Sequence, residues 1–225
     1  MTCIVLQARI DSTRLPGKAL LSLDGKPLVL RVMEALNCVP ADLRILACSK
    51  DSLSSFKPLS AQANFEIFAG PEDDVLERYC QVIRHFNIKH VIRATGDNPF
   101  VFTDAAQAIN AEAAALDADY AGYSGLPYGA GVESVSAASL LRAGSETTSP
   151  YDREHVCPYL YAHNELFKLH RPFAPLRWQG SNIRLTVDTQ EDFDRAVCLY
   201  GALKNEPLRY YGFTIIKKYR EIFNK

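Results

Sequence analysis

Short apolar runs of strand-favouring residues alternate with amphipathic helical patterns through the first half of this chain, and few folds accept that order. CIVLQAR (3–9) reads as a buried strand, PLVLRVMEALNCV (27–39) as a helix, LRILACS (43–49) as a second strand and FEIFAG (65–70) as a third. EDDVLERYCQVIRHF (72–86) sets Val75, Tyr79, Val82, Ile83 and Phe86 on one helical face behind an acidic first turn. KHVIRAT (89–95) is the next strand, ending sharply at GDNP, and TDAAQAINAEAAAL (103–116) is an alanine-rich helix. Strands joined by helical crossovers must run parallel, so the pattern predicts an α/β fold with helices on both faces of a largely parallel sheet.

The second half is less regular. ADYAGYSGLPYGAGVESVS (118–136) reads as a loop flanked by short strands, and SPYDREHVCPYLYAHNEL (149–166) as a helix broken near Pro158. FKLHR (167–171) and NIRLTVD (182–188) read as strands, and QEDFDRAVCLYGAL (190–203) as an amphipathic helix. Nothing marks a linker, so a single domain over 1–225 is expected, with a small lobe within about 124–181.

A net charge of −1 excludes a general nucleic-acid or membrane-surface binder, and any anion site must be a local cluster. Gln7 and Arg9 cut the N-terminal apolar run too short for a signal peptide, and no window is long and apolar enough for a membrane span. The six cysteines are scattered without a CxxC pair, against a disulfide framework or zinc site. A cytoplasmic location is the expectation.

Ligands of open α/β sheets bind beyond the carboxyl ends of the strands. The loop LQARIDSTRLPGK (6–18) leaves the first strand there, bearing Arg9, Arg14 and Lys18 against Asp11 alone. Spaced cations before a turn suit a polyphosphate, although a solvated basic loop would look the same. The loop is neither a Walker loop nor a GxGxxG fingerprint. Asp97, in GDNP at the same sheet edge, is placed to hold Mg²⁺ against phosphates or simply to form the turn. Asp188 in LTVDTQED also ends a strand-like run, where it could ligate a metal or cap the next helix. Asp117 and Asp119 form a DxD, a metal pair in some glycosyltransferases or a plain turn. His155, in DREH beside Arg153, is either structural or turned to a substrate from the second lobe.

Together these stretches resemble the sugar-acid cytidylyltransferases, and more closely the branch named for spore-coat polysaccharide biosynthesis protein F. QARIDSTRLPGK, GPEDDVLERY, ATGDNPF, GVESVS, YDREHVCPYLY and RLTVDTQEDF occur in that branch's order over roughly residues 3 to 200. The resemblance implies a three-layer α/β/α, Rossmann-like nucleotide-diphospho-sugar transferase fold, with a mainly parallel sheet and a small inserted dimerisation lobe. It implies that Arg9 and Lys18 grip the triphosphate with Arg14 alongside, and that Asp97 and Asp188 bind Mg²⁺. Leu6, Gln7 and Ala8 would lend backbone to the nucleotide, Gly70, Asp73 and Asp74 would lie near base and ribose, and Thr95 and Gly96 would complete its cradle. Glu133, Arg153 and His155 would face the acceptor. The implied reaction moves CMP from CTP to an acidic sugar or phosphorylated small molecule, with pyrophosphate leaving, in a homodimeric enzyme of surface-polysaccharide synthesis. Two departures stand out: Pro71 replaces a small polar residue, and Tyr128-Gly129-Ala130-Gly131 replaces an Asp-containing stretch, leaving Glu133 as its carboxylate. A glycosyltransferase working through Asp117 and Asp119, and a non-catalytic nucleotide-binding relative, are the alternatives.

Overall fold

The structure is a computed structural model and describes residues 1–223. Its elements, in chain order, are β1 (Thr2–Ala8), β2 (Ser22–Leu23), β3 (Lys26–Pro27), α1 (Leu28–Leu36), β4 (Leu43–Ser49), α2 (Leu53–Gln62), β5 (Glu66–Gly70), α3 (Val75–Phe86) and β6 (His90–Thr95). There follow α4 (Thr103–Leu116), β7 (Tyr120–Ala121), β8 (Glu133–Ser136), α5 (Ala137–Glu146), α6 (Pro150–His155), α7 (Pro158–Ala162), β9 (Leu169–His170), α8 (Gln190–Leu203) and α9 (Gly212–Phe223).

Seven strands form one sheet in the order β5-β4-β1-β6-β8-β7-β9, while β2 and β3 make a separate hairpin. The β5-β4-β1-β6 half is parallel throughout, and β8 enters antiparallel to both β6 and β7. Period-two alternation splits β1 between two cores. Ile4, Leu6 and Ala8 join the core built with α1, α2, α4, α8 and α9, whereas Cys3 and Val5 join the core of α3, α5 and α7. Strands buried on both faces explain why the sequence showed continuous apolar runs rather than alternation. The result is the three-layer α/β/α arrangement expected from the sequence.

Local chemistry sets the helix ends that matter below. Asp74 caps α3 by accepting from Glu77 N at 2.9 Å. Thr189 and Asp192 form a reciprocal capping box on α8, so Asp188, a candidate cap in the sequence, is not the cap. Residues 182–188 do not form the expected strand. They lie beside the loop before β8 and the turn after β6 and pair with those instead, through Leu185 N to Tyr128 O at 2.8 Å and Val187 N to Asp97 O at 2.9 Å. Within residues 124–181, β8 and β9 belong to the seven-stranded sheet and α5 packs on α3. Three helices lie outside the elements expected from the sequence: α2, α5 and α9.

Candidate active site

A cavity of about 420 Å³ opens at the carboxyl edge of the parallel strands, lined among others by Gln7, Ala8, Arg9, Arg14, Lys18, Asp97 and Asp188. Three local features assemble it. First, Gly17 takes φ 68°, a left-handed conformation that turns the basic loop back so that Lys18 begins a short helical turn facing the sheet. Second, Gly96 N bonds Gln7 O at 2.8 Å, and a Cβ at Gly96 would meet Ala8 Cβ at 2.8 Å. Only glycine lets β1 and β6 close this tightly, and Asp97 follows at once. Third, the Val187–Asp97 backbone bond lays the segment before α8 against that turn, which delivers Asp188 beside Asp97.

Lys18 is the centre of the cluster. Its Nζ donates to Asp97 Oδ2 at 3.0 Å, Asp188 Oδ1 at 2.9 Å and the Val187 carbonyl at 2.9 Å. Arg14 reaches Asp188 Oδ1 at 3.0 Å, and Arg184 reaches its Oδ2 at 2.7 Å. Burial opposes ionisation of Asp188, but Lys18, Arg14 and Arg184 outweigh it and hold the carboxyl below its ordinary range. Asp192 supports the arrangement from behind, accepting from Asp188 N at 3.0 Å and from Arg184 Nε at 3.0 Å. Arg9 lines the cavity from an exposed position and makes no ion pair among the described residues.

Two carboxylates converging on one ammonium mark a point built for positive charge. Their hard oxygen donors suit Mg²⁺, which needs only one or two carboxylates when phosphates complete its octahedron. Beside them, the buried Asn98 Oδ1 has no hydrogen-bond partner. The residues present therefore fit a divalent cation, although no cluster of three or more potential ligands occurs among the described residues.

Of the residues singled out in the sequence, Gln7, Ala8, Arg9, Arg14, Lys18, Thr95, Gly96, Asp97, Asp188 and His155 all line the cavity. Others do not. The Leu6 side chain is wholly in the core. Gly70 lines a separate groove of about 480 Å³ with Lys50, Asp51 and Pro71. Asp73 is exposed on the turn before α3. Asp74, besides capping α3, accepts from Arg153 at 3.1 Å, so each neutralises the other away from the cavity. Glu133 is also withdrawn: its carboxylate is taken by Arg93, Tyr161 and, at 2.9 Å, Tyr120. Glu133 and Arg153 are thus structural partners rather than parts of the cavity wall. The cavity also includes Tyr128, from the loop expected to border the acceptor, and Arg78, Arg93, Asn98 and Thr186, which the sequence pattern did not place there. The signal available was Arg93 itself, a charge in the middle of an apolar strand.

A sequence model of the family described as cytidylyltransferase matches residues 2–218. The chain belongs to the cytidylyltransferase family. It is 31% identical over 210 residues to the Spore coat polysaccharide biosynthesis protein SpsF of Bacillus subtilis (strain 168), covering 90% of this chain and 88% of that one. It is 34% identical over 104 residues to a 3-deoxy-manno-octulosonate cytidylyltransferase of Aeromonas hydrophila, covering 44% and 41% of the two chains. A cytidylyltransferase structure from Leptospira borgpetersenii superposes with a TM-score of 0.90 at 22% identity, over 98% of this chain and 94% of that one, a likeness of fold. The cytidylyltransferase fold accounts for the position of the cavity at the strand ends, and family membership raises the polyphosphate reading of the 6–18 loop above that of a solvated basic loop.

Proposed function

We propose that this cytidylyltransferase transfers CMP from CTP to an oxygen of an acidic sugar, with release of pyrophosphate, in the synthesis of a surface polysaccharide. One observation carries the reading: Lys18 and Arg14 meet two converging carboxylates at the sheet edge, in a cavity that Arg9 also lines. A nucleotidyl transfer asks a protein chiefly for positioning and for neutralising charge on the departing phosphates. The acceptor oxygen forms its bond to the α-phosphorus as the bond to the bridging oxygen of pyrophosphate breaks. Arg9, Arg14 and Lys18 stabilise the negative charge that grows on the leaving group. In the free protein the Lys18 ammonium neutralises Asp97 and Asp188, so the charge that serves the triphosphate is already ordered at the site. Asp97 and Asp188 are the residues that would hold Mg²⁺, which supplies charge neutralisation at the phosphates when bound. His155 and Tyr128, both at the cavity wall, are available to the acceptor.

The glycosyltransferase alternative loses its metal pair. Asp119 stands at the amino end of β7, which runs parallel to β6, and so lies at the opposite edge of the sheet from the cavity. There its carboxylate accepts from Ser139 Oγ at 2.6 Å and Lys168 N at 2.9 Å. On the proposed reading the enzyme uses CTP in the cytoplasm; no helix of the described residues is long and apolar enough to cross a membrane. Phe173 and Leu176, 73% and 86% exposed, support a homodimer that buries the 149–178 region of a single nucleotidyltransferase domain.

Calorimetric titration with CTP, UTP, GTP and ATP, with and without Mg²⁺, tests the nucleotide half, and pyrophosphate release over a panel of acidic sugars tests the acceptor half. CTP-selective binding strengthened by Mg²⁺ is the expected result. Equal weak binding of all four nucleotides would defeat the proposal.

A further inference from the structure

Behind the phosphate cluster, the cavity wall carries a second polar group whose donors are fixed by a buried network. Arg93 on β6 sits opposite Glu133 on β8, and the two form an ion pair. The remaining Glu133 oxygen accepts from the hydroxyls of Tyr120 and Tyr161, so the carboxylate is fully occupied. Burial opposes its ionisation, but Arg93 and the two tyrosines keep it charged. Arg93 Nη1 is committed to Glu133, and Nε donates to Gln7 Oε1 at 3.2 Å. An arginine Nε can only donate, which settles the orientation of the Gln7 amide: oxygen toward Arg93, NH₂ away from it. Neither Gln7 Nε2 nor Arg93 Nη2 makes a hydrogen bond within the described residues, and both residues line the cavity.

The wall there presents two N–H donors that no protein acceptor occupies. Because Glu133 neutralises Arg93, the pair offers hydrogen bonds without net charge, which favours a neutral partner with two adjacent acceptors over a second carboxylate beside Glu133. Val75, from α3 on the face of the sheet that Gln7 shares, adds apolar surface to the cavity lining, suited to a flat ring. Resting on the cytidylyltransferase reading above, we propose that the Gln7 side-chain amide and Arg93 read the nucleobase, donating to the adjacent O2 and N3 acceptors of cytosine. Uracil carries a proton on N3 and meets this wall donor against donor. The base choice of the enzyme thus resides in a side-chain pair held by Glu133, Tyr120 and Tyr161 from the far side.

The test is calorimetry of CTP and UTP, with Mg²⁺, on wild type, Gln7→Met and Gln7→Glu, each checked for a cooperative melt. Gln7→Met keeps the shape but removes the donor, and the CTP:UTP affinity ratio should fall by about 10- to 100-fold. Gln7→Glu gives one oxygen to Arg93 and turns an acceptor to the cavity, so it should weaken CTP by a similar factor while sparing UTP. Gln7 is only partly buried, so neither variant is expected to unfold the chain. An unchanged ratio in both variants overturns the inference. A wild type without CTP preference overturns the underlying functional reading instead, and is recognised before any variant is made.

Discussion

Replacing Lys18 with methionine keeps the stem and removes the ammonium, leaving Asp97 and Asp188 facing each other. Breaking a buried ion pair by deleting one partner typically costs about 3–5 kcal/mol. Here the cost should be smaller, because the Lys18, Asp97 and Asp188 side chains are 14%, 28% and 9% exposed, and Arg14 and Arg184 still neutralise Asp188. A destabilisation of about 2 kcal/mol, or roughly 4–8 °C in Tm for a domain of this size, is the expectation. The same change should open the point of convergence to a cation. In wild type a divalent ion competes with the ammonium, whereas in Lys18→Met the carboxylates are unmet. Scanning calorimetry at fixed ionic strength, with and without millimolar MgCl₂, separates the two effects. Mg²⁺ should raise the Tm of Lys18→Met by more than that of wild type, since a ligand that binds only the folded state stabilises it in proportion to its affinity. An equal Mg²⁺ response in both proteins would show that these carboxylates are not the cation site. No loss of Tm in metal-free buffer would show that the Lys18 contacts contribute nothing net.

Three further outcomes follow from the same geometry. Asp97→Asn should lower pyrophosphate release by about a thousandfold while moving Tm by only a few degrees, and turnover within tenfold of wild type would remove Asp97 from the reaction. Asp188, Asp192 and Glu133 all have pKa values held below their ordinary 3.8, 3.8 and 4.5, so the stability they contribute is complete above those values and is lost as pH falls through the lowered ones. Thermal melts should therefore show Tm declining from about pH 4.5 downward, and a Tm that rises on acidification there would contradict the assigned ion pairs. Gly129→Ala should perturb the cavity wall and destabilise the fold by about 2 kcal/mol, read by denaturant titration, because Gly129 has φ +90° and a Cβ would lie 2.6 Å from Thr186 N. A neutral result would mean the 126–131 loop moves freely against 182–188.

Much of the fold was legible because its determinants are local. LRILACS and QEDFDRAVCLYGAL match β4 and α8 residue for residue, and TDAAQAINAEAAAL matches α4; α8 also carries its own capping box at Thr189 and Asp192. The elements passed over carry local contradictions that tertiary packing overrides. α2 holds Pro58 in mid-helix among serines, and α5 holds Gly144. A Cβ at Gly144 would sit 2.5 Å from Cys80 Sγ, so the residue that weakens α5 as a helix is the one that lets it approach α3. In α9 the signal was present: Ile215 and Ile216 are buried on one face of FTIIKKYREIF.

The site divides along the same line. Its cations and carboxylates at strand ends could be found because an open parallel sheet dictates where ligands go. What no spacing reveals is which charges the protein spends on itself. Glu133 and Arg153 look as available in the sequence as Asp188 and Arg14 do. The difference is that Glu133 meets Arg93 across a β6–β8 register that joins residues 40 apart, and Arg153 meets Asp74 across 79. Arg93 is the instructive case, for a guanidinium at an inward position of a central strand cannot remain without a buried partner. Such a charge in HVIRAT requires a carboxylate on a neighbouring strand, and the strand that carries one, ESVS with Glu133 at its head, is the strand that pairs with β6. The same reasoning fixes the fate of Arg93's remaining donors: buried behind one acid, with one amide and no further acceptor, they are left for what enters the cavity.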